Sequence, residues 1–229
     1  MGNGILDILL FAAIAVFLIF KLGNVLGKKT GHERRPGEQP PFASPEEGMG
    51  GPESDESKVV QLPSQRRRAE ETDRKIMDSP ISEGITQIKL ADRDFSPSSF
   101  LEGANGAFEM ILQAYVEGDT RTLKNLLAKD VYQSFASAIE DREANGQRIE
   151  DTLVGIDSTD ILEARMVDHA ALVTVKFVSE QVNVLFDSEG EVVEGDPHKV
   201  IVVTDIWTFS RDTRSRDPNW VLVSTRSPN

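Results

Sequence analysis

The sequence predicts an α+β protein. Short helices pack on an antiparallel meander sheet, preceded by a transmembrane helix and a disordered linker. Three observations carry this prediction. Apolar residues between Ile81 and Ile139 recur at three and four, the helical period. After Gly146 the period falls to two, that of strands. Ahead of both stands an apolar run, Ile5 to Phe20, that carries one charge, Asp7.

A helix from Ile5 to Leu26 would be about 33 Å long at about 1.5 Å per residue. That matches a hydrocarbon core of about 30 Å. Ile5, Leu6, Ile8, Leu9, Leu10, Phe11, Ile14, Val16, Phe17, Leu18, Ile19 and Phe20 would form the membrane anchor. A cleaved secretory signal is disfavoured, because Met1-Gly2-Asn3-Gly4 carries no basic side chain. Lys21, Lys28, Lys29, Arg34 and Arg35 follow the run, so the positive-inside rule puts the N-terminus outside and the C-terminal domain in the cytoplasm. Leu6 stands where a myristoylation signal needs Ser or Thr.

The expected organisation is therefore 1–26 anchor, 27–80 linker and 81–229 folded domain. The linker holds Pro36, Pro40, Pro41, Pro45, Pro52 and Pro63 and only scattered apolar residues, too few to offset ordering entropy. As a random coil it would reach roughly 40 Å from the bilayer. Within it, Arg66, Arg67 and Arg68 read as a solvated charge run, or as a short helix touching anionic head groups.

Charge is unevenly divided. Residues 1–80 hold 11 Lys/Arg and 12 Asp/Glu, a net of −1; residues 81–229 hold 14 and 26, a net of −12. Such a domain repels phosphate backbones, so nucleic acid is excluded as a partner. The chain has no cysteine, which removes disulfides, thiolate metal sites and cysteine nucleophiles.

Ile81, Ile85, Ile88 and Leu90 suggest a short helix ending by Asp94. Ser96 is an N-cap with Pro97 at the first helical position, and Gly118 ends that helix. Phe100, Leu101, Ala104, Phe108, Ile111, Leu112 and Tyr115 give it one apolar face. Asp119 is expected to cap a second helix through Leu127. Asp130 is expected to cap a third, which Asn145-Gly146 stops. Strands follow: Ile161–Val167, a turn at Asp168-His169, Ala171–Phe186, Val200–Phe209 and Trp220–Thr225. In the second of these the in/out phase changes near Ser179, which a bulge would explain. Asp187 to Gly190 reads as a turn, as does Glu194 to Asp196.

No catalytic, metal or cofactor pattern emerges, and no enzyme activity is expected. His32, His169 and His198 lack metal-ligand spacing. Gly48, Gly50 and Gly51 lack the strand and helix of a phosphate loop. Carboxylate pairs such as Asp157 with Asp160 are expected by chance among 38 acidic residues. Asp205 shares parity with Val203 and Trp207, so it is the one acid that a buried strand face would enclose.

Several phrases in order carry a resemblance. They are Phe100-Leu101-Glu102-Gly103-Ala104, Ala107-Phe108-Glu109-Met110-Ile111, Gly118-Asp119, Val131-Tyr132 with Phe135, Val192 to Pro197, Asp205 to Phe209, and Asp217 to Val223. Over about 85–227 the chain resembles the Tim44-like family, the C-terminal domain of a mitochondrial inner-membrane translocase subunit and its alphaproteobacterial relatives. No Arg-rich presequence is present, which fits the bacterial branch and a bacterial inner-membrane location. The resemblance implies a cone-like fold related to nuclear-transport-factor-two and cystatin-like domains. It also implies an adaptor or scaffold on the membrane, with protein partners such as an Hsp70-type chaperone or a translocase.

Such folds leave an apolar pocket between helices and sheet. Phe108, Ile111, Leu112, Tyr115, Trp207, Phe209 and Trp220 would line it, or would fill the core instead. A pocket of that kind would suit an acyl chain or an unfolded polypeptide, so lipid or small-molecule binding is the alternative function.

Overall fold

The computed structural model describes residues 63–228. The expected anchor, and the linker as far as residue 62, lie outside the described residues. Among the described residues no helix is long and apolar enough to cross a membrane.

Among the described residues five helices precede five strands. The helices are α1 (Pro63–Met77), α2 (Ser82–Ala91), α3 (Pro97–Glu117), α4 (Thr120–Leu126) and α5 (Lys129–Ala144). The strands are β1 (Arg148–Val167), β2 (Ala170–Phe186), β3 (Val192–Gly195), β4 (Ile201–Asp212) and β5 (Val221–Arg226). Every strand pairing is antiparallel, in the order β1-β2-β4-β5, and β3 pairs with β2 beyond the end of β4. The sheet is thus a meander, as expected from strands joined by turns.

α1 corrects the reading of 27–80 as linker throughout. Its exposed face is held by Arg66–Glu70 and Lys75–Glu71 pairs one turn apart. Asp73 ties it to the next helix but one. One carboxylate oxygen accepts from the Ser98 N–H at 2.8 Å and the other from the Ser96 hydroxyl at 3.1 Å. Ile76 packs on the core. These ties are tertiary, so composition could not reveal them.

α3 has the expected limits. The Ser96 hydroxyl accepts from the Ser99 N–H, and Gly118 ends the helix at φ 71°, where a side chain would be strained. Asp119 caps α4, accepting from the Arg121 and Thr122 N–H groups at 3.1 Å. Asp130 does not cap α5. Ala128 holds that position and makes no side-chain cap. Its N–H instead donates to the Leu222 carbonyl at 2.9 Å, so a bond to β5 fixes the helix entry.

β1 begins thirteen residues earlier than the alternation suggested, at Arg148 instead of Ile161. Three register shifts, at Leu153/Gly155, Ile156/Ser158 and Ile161/Glu163, break its in/out pattern. Of the turn expected at Glu194 to Asp196, Glu194 and Gly195 instead end the short strand β3, and the turn follows, with the Lys199 N–H donating to the Asp196 carbonyl at 3.1 Å. The β2–β4 ladder runs without a shift from Ala170↔Asp212 to Gln181↔Ile201. The phase change near Ser179 is therefore not a bulge of β2; the bulged residue opposite is Asp157 of β1. β2 keeps its parity and turns polar side chains inward.

The core lies between the helices and this sheet face. Phe108 stacks on Phe177 at 4.5 Å and meets Trp207 at 4.7 Å. Phe100 meets Trp220 edge-on at 4.8 Å. Gly84 lets α2 touch β1, since a Cβ there would lie 1.8 Å from the Ala164 carbonyl oxygen.

Candidate functional site

β2 presents Val173, Val175 and Phe177 to the helices, all fully buried. The next residues on the same face are Ser179, Gln181 and Asn183. Ser179 and Gln181 are as buried as their apolar neighbours. The Gln181 amide donates to the Ser179 hydroxyl at 2.9 Å, and the Asn183 amide donates to the Gln181 carbonyl at 3.1 Å. Asn183 pairs with Asp151 across the ladder, and its amide oxygen lies 2.8 Å from an Asp151 carboxylate oxygen. That contact is satisfied in two ways. A protonated Asp151 donates to the Asn183 oxygen, or a turned amide donates to the ionised carboxylate. With the Asn183 nitrogen turned toward Asp151, the row Ser179, Gln181, Asn183 is a chain of side chains that ends on the Asp151 carboxylate.

Asp205 joins this face opposite Phe177. Burial raises its carboxyl to about 6, with the Trp207 indole N–H acting against the shift. Burial also raises Asp151 to about 6, and the neighbouring Asp205 charge adds to it. Glu194 pairs with Leu185 on β3, and burial raises its carboxyl too. One Glu194 carboxylate oxygen has no partner among the described residues.

An open cleft of about 540 Å³ lies beside this acidic end. The second half of α3 supplies Glu109, Leu112, Gln113, Val116 and Glu117, and the start of β1 supplies Asp151 to Gly155. Apolar and acidic side chains alternate round it, which suits a group that is both apolar and cationic. Arg142, buried on α5, fixes its far end. One of its nitrogens donates to the Tyr115 and Val116 carbonyls at 3.0 and 3.1 Å. Among the described residues no cluster of His, Asp and Glu is arranged to hold a metal ion.

The residues expected to line a pocket separate here. Phe108, Ile111, Trp207 and Phe209 are buried in the core, with Tyr115 and Trp220 packed at its margin. Leu112 alone of the seven lines the cleft. Asp205, singled out by parity, stands in the acidic group. Asp151, Asn183, Glu109 and Gln113 escaped the sequence reading. The signal for Asn183 was present as polar residues at alternate positions of β2.

Among the described residues, five helices over one face of an antiparallel meander, with an acidic cleft beside them, define an α+β domain. Residues 81–227 match the Tim44-like domain model, and the chain belongs to the Tim44-like family. It is 29% identical over 139 residues to the human mitochondrial import inner membrane translocase subunit TIM44, covering 60% of this chain and 31% of that protein. The chain thus spans about a third of the length of its mitochondrial relatives. An uncharacterized protein of Rickettsia prowazekii is 23% identical over 227 residues, 97% of each chain. Among solved structures, the intermembrane space region of the chloroplast protein ARC6 is similar, at 14% identity and TM-score 0.41, over 56% of this chain and 95% of that one.

Proposed function

We propose that the chain is a membrane-tethered adaptor on the cytoplasmic face of a bacterial inner membrane. It holds a protein partner, such as a chaperone or translocation component, close to the bilayer. The single observation that carries this reading is the family match over 81–227, shared with translocase subunits of the mitochondrial inner membrane. The apolar run Ile5–Phe20 supports a tether. The match with the Rickettsia relative along nearly the whole chain supports treating that run and the domain as one unit. α1 carries Arg66, Arg67 and Arg68 exposed at its start, where a basic helix would meet anionic head groups. Tethering works by raising the effective concentration of the domain for partners in the same membrane.

The test is complementation by a chain lacking residues 1–27. Loss of function with the domain still folded is expected. Full complementation by the freed domain overturns the tether. Crosslinking from native membranes then identifies the partner.

A further inference from the structure

The sheet has two edges, and they are built differently. β1 pairs with β2 along its whole length and is broken by three register shifts, with charged residues spread along it. Bulges and charges guard an edge against further pairing. The other edge carries one register shift, at Val193 of β3, and is left without a neighbouring strand along part of its length. β5 pairs only with Ile206–Ser210 of β4. Ile201–Asp205 and the collinear β3 pair with β2 alone. Val192, Val193, Val200 and Val202 there are about half exposed, on both faces of the strand, so the helices do not cover them.

We propose that the edge formed by β3 and Ile201–Asp205 accepts one extended polypeptide strand of another protein, apolar and basic in character. An unpaired ladder supplies main-chain hydrogen bonds to any extended chain, and the valines offer side-chain contact on alternate positions. Charge selects the occupant. Between residues 191 and 200 the edge carries the exposed Glu191 and Asp196 and the half-buried Glu194 against Lys199. A second copy would set these acids against one another, which opposes self-pairing. A strand bearing Lys or Arg is complementary. The inference names the kind of partner the adaptor reading leaves open, and rests on that reading only for its meaning in the cell.

The test uses the full-length protein in detergent micelles and a fluorescent peptide alternating lysine and valine. Saturable binding is expected, weakened by salt and roughly tenfold weaker for a glutamate–valine peptide. Methylating alternate backbone nitrogens of the peptide should abolish binding, a readout that leaves the protein unaltered. Because the chain has no cysteine, V202C and L162C each carry one photocrosslinker. Crosslinking is expected from Val202 and not from Leu162, which lies at a β1 register shift. V202K should weaken binding about tenfold by opposing the basic probe. The proposal is overturned by no binding, by equal binding of the methylated peptide, by equal crosslinking from both edges, or by self-association through Val202. A negative result here beside a failed complementation by the freed domain would remove the edge proposal and leave the tether standing.

Discussion

One strand, β2, crosses two unlike halves of the same interface. Its first half places Val173, Val175 and Phe177 among Phe108, Trp207 and Phe209, with rings in contact at 4.5–6.3 Å. Its second half places Ser179, Gln181 and Asn183 beside Asp151 and Asp205. The parity of β2 and its ladder with β4 are continuous across the boundary, while the ladder with β1 shifts there at Asp157. Apolar burial contributes about 25 cal/mol per Å² in the first half, whereas each ionised carboxyl in the second loses hydration. The aromatic half holds the fold; the acidic half detracts from stability and keeps an open cleft. A domain selected for stability alone would have closed both.

The largest expected effect breaks the aromatic half. F108A removes a fully buried ring that touches Phe177 and Trp207. It should cost about 3–5 kcal/mol, read as a fall in the urea midpoint. A cost below about 1 kcal/mol would mean that the rings are not the main support.

D205N should act in the opposite direction. The folded-state carboxyl titrates near 6, against an ordinary value of about 3.9. A folded pKa above the unfolded one means that the native state binds more protons between those values. The associated stability is fully present below about pH 4 and lost as pH rises through about 6. Asparagine removes that loss and still accepts from the Trp207 indole. At pH 7.5 the variant should be more stable than the parent by up to about 3 kcal/mol, and near pH 4 the two should converge. Urea unfolding at both pH values checks this. Asp151 should also titrate lower in the variant, because part of its shift comes from the Asp205 charge. A variant that is less stable at pH 7.5 would show that Asp205 supports the fold.

The two halves were unequally legible in the sequence. The aromatic half could be read because its signals are local: Ser96 and Pro97 start α3, Gly118 stops it, and one apolar stripe runs between them. The acidic half depends on pairings distant in sequence. Asp151 meets Asn183 only because β1 extends back to Arg148, and three register shifts hide that extension from any period-two count. The inward turn of Ser179 and Gln181 looked like a slip of phase, since a polar residue on a core face is the rarer event. A short helix at Arg66–Arg68 was one of two readings open in the sequence, but the ties that dock α1 were not visible for the same reason. Asp73 and Ile76 gain their partners from α3 and the core, not from neighbours in the chain.

Arg142 links the halves through α3, and its removal separates them. Its guanidinium is 8% exposed and satisfies two carbonyls at the C-terminal end of α3, where a cation also complements the helix dipole. R142A should cost about 2 kcal/mol. The informative readout is hydrogen exchange. Amides after Leu112, beside the cleft, should lose protection while those around Phe108 keep theirs. Equal loss along α3 would mean that the helix opens as one unit and that the two halves are a single cooperative block.

The smallest effects compare the two ends of that helix. At the aromatic end, Ser96 caps α3 while Asp73 accepts from the Ser98 N–H. S96A removes one of two carboxylate and hydroxyl acceptors at the same terminus, so about 1 kcal/mol is expected. At the cleft end, Gln113 is exposed and its amide donates to Glu117 at 2.9 Å, one turn on. Q113A should cost no more than about 0.5 kcal/mol, the value of such a pair on a solvated helix face. Urea midpoints of the two variants decide the matter. If Q113A costs as much as S96A, the cleft rim contributes to holding the domain together and is not free to serve a ligand. If it costs nothing, the cleft face of α3 can vary for binding while the capped end keeps the fold.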